Sequence, residues 1–276
     1  MCLETKLERL KSEILRMEKV VIAFSGGVDS SFLLKVAHEV LGENVLAVTA
    51  KSSTYPEREF NEAVEFVTDY GIPHRIIVSE ELEVEGFSDN PLNRCYLCKH
   101  EMFNKIRQIA KDEGYKSIAE GSNKDDLGDY RPGMQAISEL GIASPLKDAG
   151  LSKNDIRLLS KELGLKTWNK PSFACLSSRF PYGEKITAQK LQMVDKAEQF
   201  LIDLGFRQIR VRHHGSVARI EVEEIDFDRF LDKQMRNDVY TKLKELGFVH
   251  VTLDLKGYRT GSMNEEFFQI KPESDE

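Results

Sequence analysis

The chain has 276 residues, 41% of them apolar and 31% charged, enough for one large domain or two ordinary ones with a packed core in each. A formal net charge of −7 argues against a protein that wraps nucleic acid, and no apolar run is long enough to span a membrane. Four cysteines are too few for a disulfide scaffold, so their placement matters more than their number.

Leu3, Leu7, Leu10 and Ile14 mark one face of an amphipathic helix. Charges interrupt every possible secretory core in that segment, so a cytoplasmic protein is expected. VVIAF (20–24) reads as a buried strand, Ser30–Leu41 as a helix closed by Gly42, and 44–50 as a second strand. A helix over Glu57–Tyr70 and a strand over 74–79 follow, then a helix from Cys98 to Glu113, a strand over 116–121 and a possible fifth strand over 141–146. Strands alternating with helices at this spacing indicate a parallel sheet covered on both faces. Ser152 and Asp155 have the spacing of a capping box for a helix ending near Gly164. Irregular chain runs from Thr167 to Gly183, and the pattern then changes to a helix over 188–204, strands over 207–213 and 216–222, helical stretches to Leu246 and a strand over 248–254. The expected division is an α/β domain over 1–180 and a smaller α+β domain over 181–276 for substrate binding or oligomerisation. The tail KPESDE is expected to fray.

The stretch VVIAFSGGVDSS (20–31) places two glycines between a strand and a helix N-terminus. Backbone N–H groups, the helix dipole and the absence of side chains make such a turn an anion site. Ser25, Ser30 and Ser31 offer hydroxyl donors. No lysine follows the glycines, so this is not a Walker A loop, and it is not GxGxxG either. Asp29 would repel phosphate unless Mg²⁺ lies between them. SGGVDSS resembles the SGGxDS signature of the PP-loop pyrophosphatases, an adenine nucleotide alpha hydrolase-like fold. That resemblance implies binding of ATP at Ser25, Gly26, Gly27, Asp29, Ser30 and Ser31, cleavage between the α and β phosphates, and transfer of AMP to a carbonyl or carboxylate oxygen.

RCYLCKH places Cys95 and Cys98 in a CxxC, and KPSFACLSSRFPYG supplies Cys175. A CxxC alone leaves open a redox pair, a zinc half-site with His100 as a further ligand, or an iron–sulfur half-site. Three thiolates suit a [4Fe–4S] cluster with one iron left for an exogenous group. Cys2 is incidental. Together with the opening turn, DDLGDYRPG (125–133), SSRFPYG (177–183) and VTLDLKGYRTGSMN (251–264) resemble the LarE family over nearly the whole chain. The family's ATP-dependent sulfur transferases serve nickel-pincer nucleotide biosynthesis. They adenylate a carboxylate of pyridinium-3,5-biscarboxylic acid mononucleotide and convert it to a thiocarboxylate. Members with one cysteine sacrifice the sulfur at the position matching Cys175. The CxxC sets this sequence with the three-cysteine members, which implies Cys95, Cys98 and Cys175 as ligands of a [4Fe–4S] cluster that carries sulfide.

Lys99, beside the CxxC, is placed to neutralise phosphate or an acyl oxygen, or else is a solvated helix lysine. A substrate with a phosphate and two carboxylates needs cations. In RQIRVRH, Arg210 and Arg212 share one strand face, where Glu221 and Glu223 compete for them. The family resemblance implies that the arginine strand, with Ser178, Arg179 and Glu198, binds substrate. His213 and His214 read as turn residues. Catalytic roles thus fall to Cys175, Lys99 and Asp29, and the partners are a small nucleotide and a sulfide donor, without nucleic acid or membrane. The family also implies a homo-oligomer. Three readings compete: a cluster-bearing tRNA thiolation enzyme, which the acidic charge disfavours, an amide-forming ligase of the NAD synthetase kind, which leaves the cysteines idle, and a zinc-stabilised regulator that binds ATP without releasing pyrophosphate.

Overall fold

Short apolar runs and helical stripes alternate along the chain as an α/β arrangement in the computed structural model, which describes residues 2–126, 132–259 and 261–262. Contacts divide it into two compact units, Met1–Phe87 with Leu92–Phe173, and Ser88–Pro91 with Ala174–Glu276.

The first unit contains helix α1 (Leu3–Leu15), strand β1 (Val20–Ala23), α2 (Val28–Leu41), β2 (Val45–Lys51), α3 (Glu57–Asp69), β3 (His74–Val78) and α4 (Arg94–Asp112). It continues with β4 (Ser117–Ala119), α5 (Pro132–Glu139), α6 (Pro145–Asp148) and α7 (Lys153–Glu162). The strands form a parallel sheet in the order β3-β2-β1-β4. β1 is interior, which explains its unbroken apolar run. Within it the pleat still sorts side chains: Val20 and Ile22 join Phe32, Leu33 and Leu159 on one face, while Val21 joins Phe103 and Ile106 on the other. Leu10 and Ile14 of α1 are buried in the first of these cores. The expected fifth strand is a correction: only a single parallel bridge, Ala119 to Ala143, forms there. Pro145 begins α6 two residues later and ends the extended run. The capping box at Ser152 and Asp155 is present in both directions.

The second unit is a helix–hairpin–helix–strand arrangement: α8 (Ala188–Asp203), β5 (Ile209–His214), β6 (Val217–Val222), α9 (Lys233–Glu245) and β7 (His250–Leu253). β5 and β6 pair antiparallel and β6 and β7 parallel. Residues 88–91 belong to this unit because Asn90 Nδ2 donates to the Phe180 and Pro181 carbonyls at 3.2 and 2.6 Å, while Ile186 N–H donates to Ser88 at 2.8 Å. His213 is not in the turn, as the sequence suggested. It is a buried strand residue between the rings of Phe180 and Phe248, with Nδ1 2.9 Å from Glu184 Oε1. His214 is the last residue of β5. In the expected DDLGDYRPG and 251–264 stretches, residues 127–131, 260, 263 and 264 lie outside the described residues, as does the whole KPESDE tail. Among the described residues, no helix is long and apolar enough to cross a membrane.

Candidate functional site

The order β3-β2-β1-β4 puts a topological switch between β1 and β4, where parallel α/β sheets open a crevice at their carboxyl ends. The glycine turn leaves β1 at that point. Gly26 has φ +60°, and a Cβ on it would lie 3.0 Å from that of Ala63. At Gly121, past β4, a Cβ would lie 3.0 Å from Ser30 N, so this loop passes directly against the start of α2. Gly27 is the N-cap of α2, with no side chain capping the first N–H groups. An open helix N-terminus reached through glycine backbone is the geometry an anion needs.

Side chains buttress the turn. Ser25 and Ser30 Oγ lie 3.1 Å apart, and Tyr55 Oη donates to the Ser25 carbonyl at 2.6 Å. Lys170 Nζ donates to the Gly26 carbonyl at 3.1 Å and pairs with Glu59 and Glu62 at 2.7 and 2.6 Å. Asp29 Oδ2 takes Lys153 Nζ at 2.6 Å, while Asp29 Oδ1 is buried with no hydrogen-bond partner. Burial pushes the Asp29 carboxyl above its usual range, and Lys153 opposes that shift. An oxygen so desolvated and uncovered fits a divalent cation brought in with a nucleotide. Ser31, expected to offer phosphate a hydroxyl, is fully buried, and that hydroxyl has no hydrogen-bond partner.

Cys95 and Cys98 lie one turn apart at the start of α4, which begins four residues earlier than expected. Cys95 is exposed, and Cys98 Sγ donates to Glu81 Oε1 at 3.7 Å. Burial raises the Glu81 carboxyl pKa, against hydrogen bonds from Ser52 and Thr54. The aliphatic stem of Lys99 runs over α5, where a Cβ on Gly133 would come within 2.8 Å of Lys99 Cδ. Cys175 belongs to the second unit. The three thiols suit an iron–sulfur cluster as donors. However, among the described residues no group of three or more His, Cys, Asp or Glu is gathered to hold a metal ion.

In the second unit the Cys175 thiol is exposed while its backbone is held. The Cys175 carbonyl accepts from Ser178 N at 3.0 Å, Ser178 Oγ at 2.9 Å and Arg179 Nη1 at 3.1 Å. Arg179 also donates to the Ala174 carbonyl at 2.7 Å and forks onto Glu198 at 2.8 and 2.9 Å, both residues being fully buried. Burial works against the Glu198 charge, yet Arg179 holds its carboxyl below the usual range. Arg212 forks onto Glu221 at 3.0 and 2.8 Å and donates to the Ser178 carbonyl at 2.9 Å.

A family model described as NAD synthase matches residues 4–93. The chain is 39% identical over 265 residues to the pyridinium-3,5-bisthiocarboxylic acid mononucleotide synthase of Lactiplantibacillus plantarum, covering 95% of each chain. It is 42% identical to an uncharacterised protein of Synechocystis, over 95% of this chain and 98% of that one. A subunit of the glutamine-hydrolysing GMP synthase of Methanococcus vannielii is 25% identical, over 71% of this chain and 66% of its own.

The chain belongs to the LarE family. It is an enzyme of the ATP-using PP-loop class, and the expected likeness over nearly the whole chain stands. Within that LarE frame, Arg179 and Glu198, expected to meet substrate, are engaged inside the second unit. With no exposed surface and every Arg179 nitrogen donating within the protein, they hold the Cys175 loop in place. Arg212 does the same for Ser178. Arg210 is buried as well, donating to the Ile209 carbonyl at 2.6 Å and lying over the Tyr258 ring, and burial and the Arg179 cation push its pKa down to about 10. Tyr55, Lys153 and Lys170 were missed by sequence reasoning. The only sequence signal for Lys153 was its position inside a capping box, which explains the helix without needing the lysine.

Proposed function

We propose that this LarE-family chain uses ATP to adenylate a carboxylate of pyridinium-3,5-biscarboxylic acid mononucleotide and converts it to a thiocarboxylate, for nickel-pincer nucleotide biosynthesis. The observation that carries the reading is the open glycine turn at the sheet's switch point, in a chain similar from end to end to a synthase of that bisthiocarboxylate.

A carboxylate is a poor acyl donor because oxide does not leave. Its oxygen attacks the α-phosphorus of ATP, the bond from that phosphorus to the bridging oxygen breaks, and pyrophosphate departs with the electron pair. The N–H groups at the start of α2 receive that anion, and Lys170 and Tyr55 hold the turn rigid by gripping the Gly26 and Ser25 carbonyls. Asp29 is the residue to hold Mg²⁺, which when bound neutralises the phosphates. A sulfur nucleophile then attacks the acyl carbon, and the carbon–oxygen bond to AMP breaks. Cys95, Cys98 and Cys175 are proposed as ligands of a [4Fe–4S] cluster on their donor chemistry alone, and transferable sulfide is what that group would supply. Lys99 is proposed to neutralise phosphate or the acyl oxygen. Arg210 and Arg212, on one face of β5, are proposed with Ser178 to meet the substrate's anionic groups. A cytoplasmic homo-oligomer with a separate sulfide donor completes the proposal.

The test is anaerobic reconstitution with iron and sulfide, followed by ATP and the dicarboxylated nucleotide, with product and protein masses measured. Oxygen-for-sulfur exchange in the product, with pyrophosphate release that tRNA does not stimulate, is expected. A colourless, zinc-bearing protein, or Cys175 lighter by hydrogen sulfide after turnover, overturns the cluster assignment.

A further inference from the structure

The ion pair at the head of α2 is unevenly built. Lys153 Nζ covers one oxygen of Asp29 at 2.6 Å, and the other oxygen is buried without a hydrogen-bond partner. The base of Lys153 is fixed. Its backbone N–H donates to Asp125 Oδ2 at 2.8 Å, and its helix start is locked by the Ser152–Asp155 capping box, with Lys6 on Asp155 at 2.6 Å. The side chain beyond it is less enclosed than its partner, 34% exposed against 21% for Asp29. A four-carbon stem on a fixed base, ending in a compact ammonium at a half-open edge, is a charge that can be withdrawn without disturbing the backbone.

Burial opposes a lone charge on Asp29, and Lys153 is the first cation that offsets it. A divalent ion on the same carboxylate would be repelled by that ammonium. We propose that Lys153 is a placeholder cation. It covers Asp29 while the nucleotide is absent and leaves it when metal-bound ATP brings its own positive charge. This rests on the ATP reading of the turn. It makes Lys153 a positioning residue that keeps a divalent ion off Asp29 until substrate arrives.

The test uses Mn²⁺ as the probe, titrated into the full-length, nucleotide-free protein while the free ion is followed by electron paramagnetic resonance. Lys153→Met, of similar length but uncharged, is expected to bind Mn²⁺ at least about tenfold more tightly than the parent protein. Lys153→Arg keeps the charge and is expected to match the parent. The gain in Lys153→Met should vanish in Lys153→Met/Asp29→Asn. Equal Mn²⁺ affinity in parent and Lys153→Met overturns the placeholder, as does a gain that survives loss of the Asp29 charge. Failure of the parent protein to bind ATP with Mn²⁺, measured separately, would remove the nucleotide reading, while the nucleotide-free comparison still decides the role of Lys153.

Discussion

Gly26 and Gly27 sit side by side but are glycines for different reasons. At Gly26 the backbone has φ +60° and a Cβ would meet Ala63 at 3.0 Å, so both conformation and space exclude a side chain. Gly26→Ala is therefore expected to cost about 1–2 kcal/mol or more from the left-handed backbone alone, seen as a lower melting temperature together with weaker ATP binding. At Gly27 no positive φ is imposed, and a Cβ would meet only Ser25 Oγ at 3.5 Å and Ser30 Oγ at 4.0 Å. Gly27→Ala should lose less stability, about 1 kcal/mol or less from the poorer N-cap, yet bind ATP clearly less well, because its methyl group narrows the approach to the anion site. Paired calorimetric melts and equilibrium ATP binding separate the two. Similar thermal losses in both variants would remove the functional reading of Gly27.

At the scale of elements, the segment after residue 173 is irregular in sequence but firmly placed. The short 3-10 turn Leu176–Arg179 is tied to α8 through Arg179 and Glu198 and to β5 through Arg212. Glu198 also accepts the Val211 N–H at 3.0 Å, so one carboxylate joins helix, strand and turn. Removing one partner of a buried pair strands the other charge, so Glu198→Ala is expected to destabilise by about 3–5 kcal/mol in urea unfolding. The double variant Arg179→Met/Glu198→Leu should recover part of that loss. Both should speed alkylation of Cys175, whose backbone is then held by fewer donors. A double variant as unstable as Glu198→Ala would show that the pair's hydrogen bonds outweigh its charge burial. The PP-loop turn is tied in the same way, with Lys170 joining Gly26 to α3 through Glu59 and Glu62.

Across the whole molecule, pH acts through the half-buried His74 and the buried His213 as well as through buried carboxylates. Burial lowers the pKa of His74, whose Nε2 lies 2.9 Å from Thr49 Oγ1, and of His213, where Glu184 opposes the shift. A histidine with a depressed folded pKa takes up a proton more readily when unfolded. The stability it contributes is full above its unfolded pKa of about 6.5 and is lost as pH falls through the folded value. The urea midpoint should therefore drop between neutral pH and pH 5. His213→Phe, keeping an aromatic ring between Phe180 and Phe248, should flatten that slope. Asp29 acts with the opposite sign. Its raised carboxyl contributes stability below its unfolded pKa and loses it as pH rises through the folded one, so its contribution falls with rising pH where that of the histidines grows. An unchanged slope in His213→Phe would assign the acid loss to His74 or to other groups.

What could be read along the chain was what short-range chemistry writes there. Helical stripes, apolar strand runs, the capping box and the glycine turn each occupy a few consecutive residues, and β1, α2 and the open turn between them follow directly. The parallel alternation also follows, because strands spaced by helices cannot pair as hairpins. Tertiary structure decided the rest, because the deciding contacts join residues far apart in sequence. Lys153 reaches Asp29 across 124 residues and Lys170 reaches Gly26 across 144, and no local pattern records either. Strand alternation put Arg210 and Arg212 on one face correctly, but alternation does not register Glu221 and Ser178, whose forks and carbonyls turn Arg212 inward. For Arg179, hydrogen bonding from every nitrogen in full burial depends on where α8 and the Cys175 loop meet it. A sequence names the donors, and only the folded chain shows which of them are already taken.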